Sequence, residues 1–86
     1  MDYKTYTITY TQPDTQTISL DFLQLVDKVD RSLPQEAYVQ GVSLDNYAIH
    51  IRSAESIENL QEIATKLNSD KYIVTDVFDT TTPLHR

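Results

Sequence analysis

The residue best equipped for chemistry is His50, which stands two positions before Arg52 in the alternating run Ala48-Ile49-His50-Ile51-Arg52. An imidazole beside a guanidinium on one side of a strand could act as an acid, a base or an anion contact. The spacing ties no serine or carboxylate to it, so the plain expectation is a solvated strand residue. His85, the other histidine, falls in a polar C-terminal stretch. Among the carboxylates, Asp76 and Asp79 are three apart on a strand and therefore point to opposite faces, unlike two acids that share one scissile bond. Glu55, Glu58 and Glu62 recur at helical spacing, with Asp27 on an earlier helix. The three glutamates span about 10 Å of helix, where one DNA strand carries about three phosphates. That density suits a phosphate mimic poorly, and Lys28, Arg31 and Lys66 dilute it. With no cysteine, no H-x-x-x-H pair and no EF-hand spacing, no metal site is expected, and with Gly41 as the only glycine there is no phosphate-cradling loop. No cofactor and no catalytic residue is expected.

Composition sharpens this. An 86-residue chain has room for one core, and at that size only about two thirds or less of the unfolded surface is buried. A deep active site would compete with the core for the same apolar side chains, so the sequence is read as that of a non-enzyme. Thirteen acidic against seven basic residues give a formal charge of −6. Nucleic-acid affinity rests on Lys and Arg contacts, so direct binding to DNA or RNA is not expected. An acidic surface suits solubility or a basic patch on another protein. No basic leader and no long apolar span is present, and the absence of cysteine fits a reducing compartment, so a cytoplasmic location is expected.

The elements that must position these residues follow from periodicity. Residues 4 to 11 alternate, with Tyr6, Ile8 and Tyr10 on one side and threonines on the other, as in a half-buried strand. Pro13-Asp14-Thr15 has turn chemistry, and residues 16–20 read as a second strand that places Tyr10 opposite Ile18 and Ile8 opposite Leu20. A competing reading makes Ser19 an N-cap and leaves residues 12–18 as a loop. A helix follows from about Asp21 to Ser32, with Phe22, Leu23, Leu25, Val26, Val29 and Leu33 as its apolar stripe, and Pro34 ends it. Strands are expected at 37–44 and 47–52 around a two-residue Asp45-Asn46 turn, with Leu44, Val42 and Gln40 on the core side opposite Tyr47, Ile49 and Ile51. Ser53 is the expected cap of a second helix reaching Asn68, with Glu55 in its first turn, and a last strand runs from Lys71 to Phe78.

The result is an α+β two-layer sandwich, a mostly antiparallel sheet of four or five strands with two helices on one face. Its order is ββαββαβ, or the ferredoxin-like βαββαβ if residues 16–20 are not a strand. Residues 1–79 form the domain and 80–86 a polar tail. The uncovered face should carry Thr5, Thr7, Thr9, Ser43, His50 and Arg52, with Gly41 and Ala48 between them. The last strand is apolar at both parities, so it adds either Ile73, Thr75 and Val77 or Tyr72, Val74, Asp76 and Phe78; the first set is taken for the open face. Something should lie against that surface: another protein, a second copy of the chain, or the chain's own tail. The function expected from this pattern is a non-catalytic protein-binding domain, a small acidic regulator or inhibitor of the immunity or anti-defence type acting on a larger protein, for which a basic patch is the matching surface. Its binding surface is the sheet face, or as second choice the acidic helix face of Asp27, Glu55, Glu58 and Glu62. The alternatives are a small-molecule-sensing dimer and a small enzyme using His50.

Overall fold

The computed structural model describes residues 3–11, 20–68 and 72–80. Alternation produces the central strand, β1 (Lys4–Tyr10), in which Tyr6, Ile8 and Tyr10 are buried. The chain continues through α1 (Leu20–Ser32), β2 (Tyr38–Ser43), β3 (Ala48–Ser53), α2 (Ile57–Lys66) and β4 (Val74–Asp79). This is the βαββαβ order, in one open antiparallel sheet with strand sequence β2-β3-β1-β4. The strand expected at 16–20 lies outside the described residues except for Leu20, which opens α1. The alternative cap Ser19 and the Pro13-Asp14-Thr15 turn also lie outside them. No described helix is long and apolar enough to cross a membrane.

Both helices are amphipathic and bury one stripe. Phe22, Leu25 and Val29 of α1 and Leu60 and Ala64 of α2 join Tyr6, Ile8, Tyr10, Ile49, Ile51, Tyr72 and Val77 in one core. The helices thus form a single layer on one side of the sheet, a two-layer α+β sandwich. Phe22 is its aromatic centre: edge-on to Tyr10 and Tyr47 at centroid distances of 6.0 and 5.2 Å, and tilted against Tyr72 at 5.3 Å.

Local details differ from the expected ones. Ser56, not Ser53, caps α2, its hydroxyl accepting from the Asn59 amide at 3.2 Å. Ser53 ends β3 fully buried, and its hydroxyl takes the Glu55 amide at 2.9 Å. Glu55 therefore precedes the helix, and Glu58 supplies the first-turn negative charge. The β2–β3 connection is not a two-residue turn that needs positive φ at both centres. Residues 44–47 form the turn, and positive φ falls on Tyr47 alone among the described non-glycine residues, at 51°.

The main departure is register. Val42 faces Ile49 as expected, but the pairing shifts between Val39 and Gly41, so Val39 faces Ile51 and Gln40 is extruded. Gln40 is exposed, not core, and Val39 packs against the core in its place. A second shift lies in β4: Ile8 faces Val77 and Thr9 faces Asp76, yet Tyr10 faces Val74, which leaves Thr75 as the extra residue. Each shift is a β-bulge, which inserts one residue and reverses side-chain parity beyond it.

Tyr10 carries a further consequence of burial. Its hydroxyl is buried without a hydrogen-bond partner among the described residues, and desolvation pushes its pKa up to about 12. The unfolded chain would ionise near ~10, so the folded state keeps the proton longer. Stability from this source is complete below pH 10 and is lost as pH rises from 10 towards 12. Tyr10→Phe removes an unsatisfied group whose burial costs about 1 kcal/mol or more. The variant is expected to match or exceed the wild type in urea unfolding at neutral pH and to lose stability less steeply above pH 10. An unchanged alkaline slope would show that another tyrosine is responsible.

Candidate functional site: the open face of the sheet

The face away from the helices is built on the outward threonines of β1. Thr7 is its midpoint, flanked by His50 on β3 and Phe78 on β4; Thr5 lies opposite Arg52, and Thr9 lies between Ala48 and Asp76. On the far side of β3, Gly41 faces His50, Ser43 faces Ala48, and Tyr38 faces Arg52. No side chain rises from Gly41, and a Cβ there would meet nothing within 4 Å, so the β2 side of His50 is open.

Of the sequence-predicted site residues, Thr5, Thr7, Thr9, Ser43, His50 and Arg52 come together on this surface. Thr75 joins them, its hydroxyl 2.8 Å from that of Thr9. Ile73 lies just beyond the bulge, 47% exposed. Val77 does not belong to the face. It is 5% exposed and part of the core, because the bulge at Thr75 lets Val74 and Val77 both point inward although they are three apart. Phe78 points outward instead, 38% exposed. Neither of the two parity sets expected for the last strand is realised intact.

The centre of the face is tied by hydroxyls. Thr80 donates its hydroxyl proton to the Thr5 carbonyl at 3.2 Å. Its oxygen then accepts from Thr7 Oγ at 3.1 Å, which leaves Thr7 Oγ to accept from His50 Nδ1 at 2.9 Å. This assignment puts the imidazole proton on Nδ1 and the lone pair on Nε2. The group that orients His50 is thus a threonine, not a carboxylate or tyrosine. Thr80, the first residue of the expected polar tail, donates to the Thr5 carbonyl through both its amide and its hydroxyl and so extends the sheet edge. Residues 81–86 lie outside the described ones.

At one end of the face Arg52 sits 5.9 Å from the centroid of the Tyr3 ring and donates to the Thr5 hydroxyl at 3.4 Å. Tyr3 donates to Glu36, and that carboxylate raises the Tyr3 pKa. Tyr3, Glu36, Tyr38 and Arg52 line an open groove of about 500 Å³. At the opposite end Asp76 stands in the open, its carboxylate accepting the Val77 amide at 2.9 Å. Arg52 and Asp76 are the only full charges among the described strand residues of this face, and neither forms an ion pair among the described residues.

The acidic helix face is less concentrated. Asp27 pairs with Arg31 at 3.1 Å and Glu62 with Lys66 at 3.5 Å, both as i,i+4 partners. Glu55 accepts from the Asn59 side chain at 2.8 Å. Of the four acidic candidates, only Glu58 has no side-chain partner of this kind among the described residues. No group of three or more His, Asp or Glu able to hold a metal occurs among the described residues. The sequence missed Tyr38, whose place opposite Arg52 depends on the bulge at Gln40, while Asp76 and Phe78 stood in the second of the two sets offered for the last strand and the bulge at Thr75 brings them onto the face together with Thr75 of the first. Comparison with models of known protein families and with curated proteins finds no match for the chain.

Proposed function

We propose that this chain is a non-catalytic protein-binding domain, a small acidic regulator or inhibitor that engages its target through the open face of the sheet. The observation that carries this reading is Phe78. It is 38% exposed on the sheet face that no described helix covers, above a floor in which Thr7 and Ala48 are themselves only 4% exposed. An aromatic ring framed by small polar groups is suited to anchor a partner once water is excluded around it. The helix face is the weaker surface because its acids already have neighbours, and exposed ion pairs contribute little.

The experiment is capture from a lysate at low salt with mass spectrometry, using wild type, Phe78→Asp and the helix variant Glu58→Lys/Glu62→Lys. The wild type and the helix variant are expected to retain the same protein and Phe78→Asp to lose it. Loss in the helix variant alone would move the binding surface to the helices, and retention of nothing by the wild type would count against the reading.

A further inference from the structure

The face has a property that its apolar content alone does not give. Arg52 lies opposite Thr5 on one side of β1, and Asp76 lies opposite Thr9 on the other. The two charges are therefore placed symmetrically about Thr7, ~13 Å apart along the strands and ~10 Å apart across them. Elsewhere the chain is strongly acidic, with a formal charge of −6 overall. The helix layer carries more acid than base, with Asp27, Asp30, Glu58 and Glu62 against Lys28, Arg31 and Lys66, so two copies meeting through it bring together an excess of like charge. On the open strands the full charges sum to zero and come as one of each sign.

We infer that the free chain forms a two-fold dimer through this face, which covers the surface that the proposed target would use. This inference rests on the reading of the open face as an association surface. The axis lies in the plane of the face, passes through Thr7 and runs perpendicular to the line from Arg52 to Asp76. Rotation about it sets Arg52 of each copy over Asp76 of the other, giving two identical ion pairs at opposite ends of an isologous contact. Phe78, which flanks Thr7, falls inside the contact near the axis. Tyr38, 50% exposed opposite Arg52, is carried towards Ile73 of the other copy, 47% exposed beyond the bulge. The strands of the two sheets cross steeply, nearer the orthogonal than the aligned mode of sheet packing.

The interface is small. Four strands ~4.8 Å apart and about six residues long give a footprint of roughly 20 × 20 Å, below the ~800 Å² per partner of a standard stable complex. A weak dimer results, which a target with a larger contact can displace. Self-association thus serves as a storage state in competition with target binding.

The test is sedimentation velocity from low micromolar concentration to about 1 mM, a range that resolves micromolar association. It compares wild type, Arg52→Glu, Asp76→Lys and the combined swap, with circular dichroism melts to confirm that each is folded. The wild type is expected to dimerise, each single reversal to weaken the dimer by on the order of 10-fold or more by setting like charges together, and the double swap to restore it. A wild type that stays monomeric throughout, single reversals without effect, or a folded double swap that fails to recover each overturns the inference. If the wild type is monomeric while Phe78→Asp still abolishes target capture, self-association falls and the open-face reading stands. If dimerisation responds to the charge swap while no target is captured, the dimer stands without the regulatory reading.

Discussion

Phe22→Ala is expected to lower the melting temperature by about 12–40 °C. Its ring is 1% exposed and meets Tyr10, Tyr47 and Tyr72 within 6.0 Å, so truncation removes buried area and leaves a cavity that three large rings cannot refill. Such a change costs about 3–5 kcal/mol. For a chain of this size the whole stability is only about 4–13 kcal/mol, and each kcal/mol is worth roughly 4–8 °C. Thermal unfolding followed by far-ultraviolet circular dichroism should give a drop of about 12 °C or more, or no folded baseline at all. A smaller drop would mean that the aromatic cluster is not the structural centre of the domain.

The second large effect separates two adjacent residues. Val77→Asp places a carboxylate in the core beside Ile8. An unpaired charge there costs several kcal/mol, so urea unfolding should show a severely destabilised or unfolded chain. Phe78→Asp changes a partly exposed side chain on an edge strand and should stay within about 1 kcal/mol of the wild type. The contrast tests the bulge at Thr75 directly. If Val77→Asp were tolerated and Phe78→Asp were not, the register of β4 would be reversed and the proposed face would lose its aromatic anchor. With the expected result, Phe78→Asp becomes a clean probe of association, because its folded state is intact.

These two residues also show where the sequence was legible. The alternation of Tyr6, Ile8 and Tyr10, the helical stripes through Phe22 and Leu60, and the outward set of Thr5, Thr7, Thr9, His50 and Arg52 follow from simple period-two and period-3.6 patterns. Strict alternation fails where a bulge intervenes. Its trace is present: Val39 and Val42 are three apart, as are Val74 and Val77, and each pair spans a bulge. Three-residue spacing of inward valines in a short strand cannot be reconciled with a regular pleat. Read as regular, it sent Gln40 inward and Val77 outward. The cap of α2 was misplaced for a different reason. Ser53 and Ser56 are both plausible caps by type, and only the depth of Ser53 at the end of β3 shows that the chain must pass Ala54 and Glu55 before it can turn into a helix. The hydroxyl chain from His50 through Thr7 and Thr80 to Thr5 joins residues as many as 75 positions apart, and no local pattern announces it.

The two bulges sit on β2 and β4, the outer strands of the sheet. An irregular edge is a poor template for another strand, because an incoming ladder of hydrogen bonds would fall out of step at Gln40 or Thr75. Growth of the sheet sideways, the direction that leads to open-ended fibrils, is therefore impeded at both margins. The dimer inferred above would instead attach by stacking the open faces, and its two-fold symmetry would use that face in both copies, so the assembly would close at two copies and have no free end.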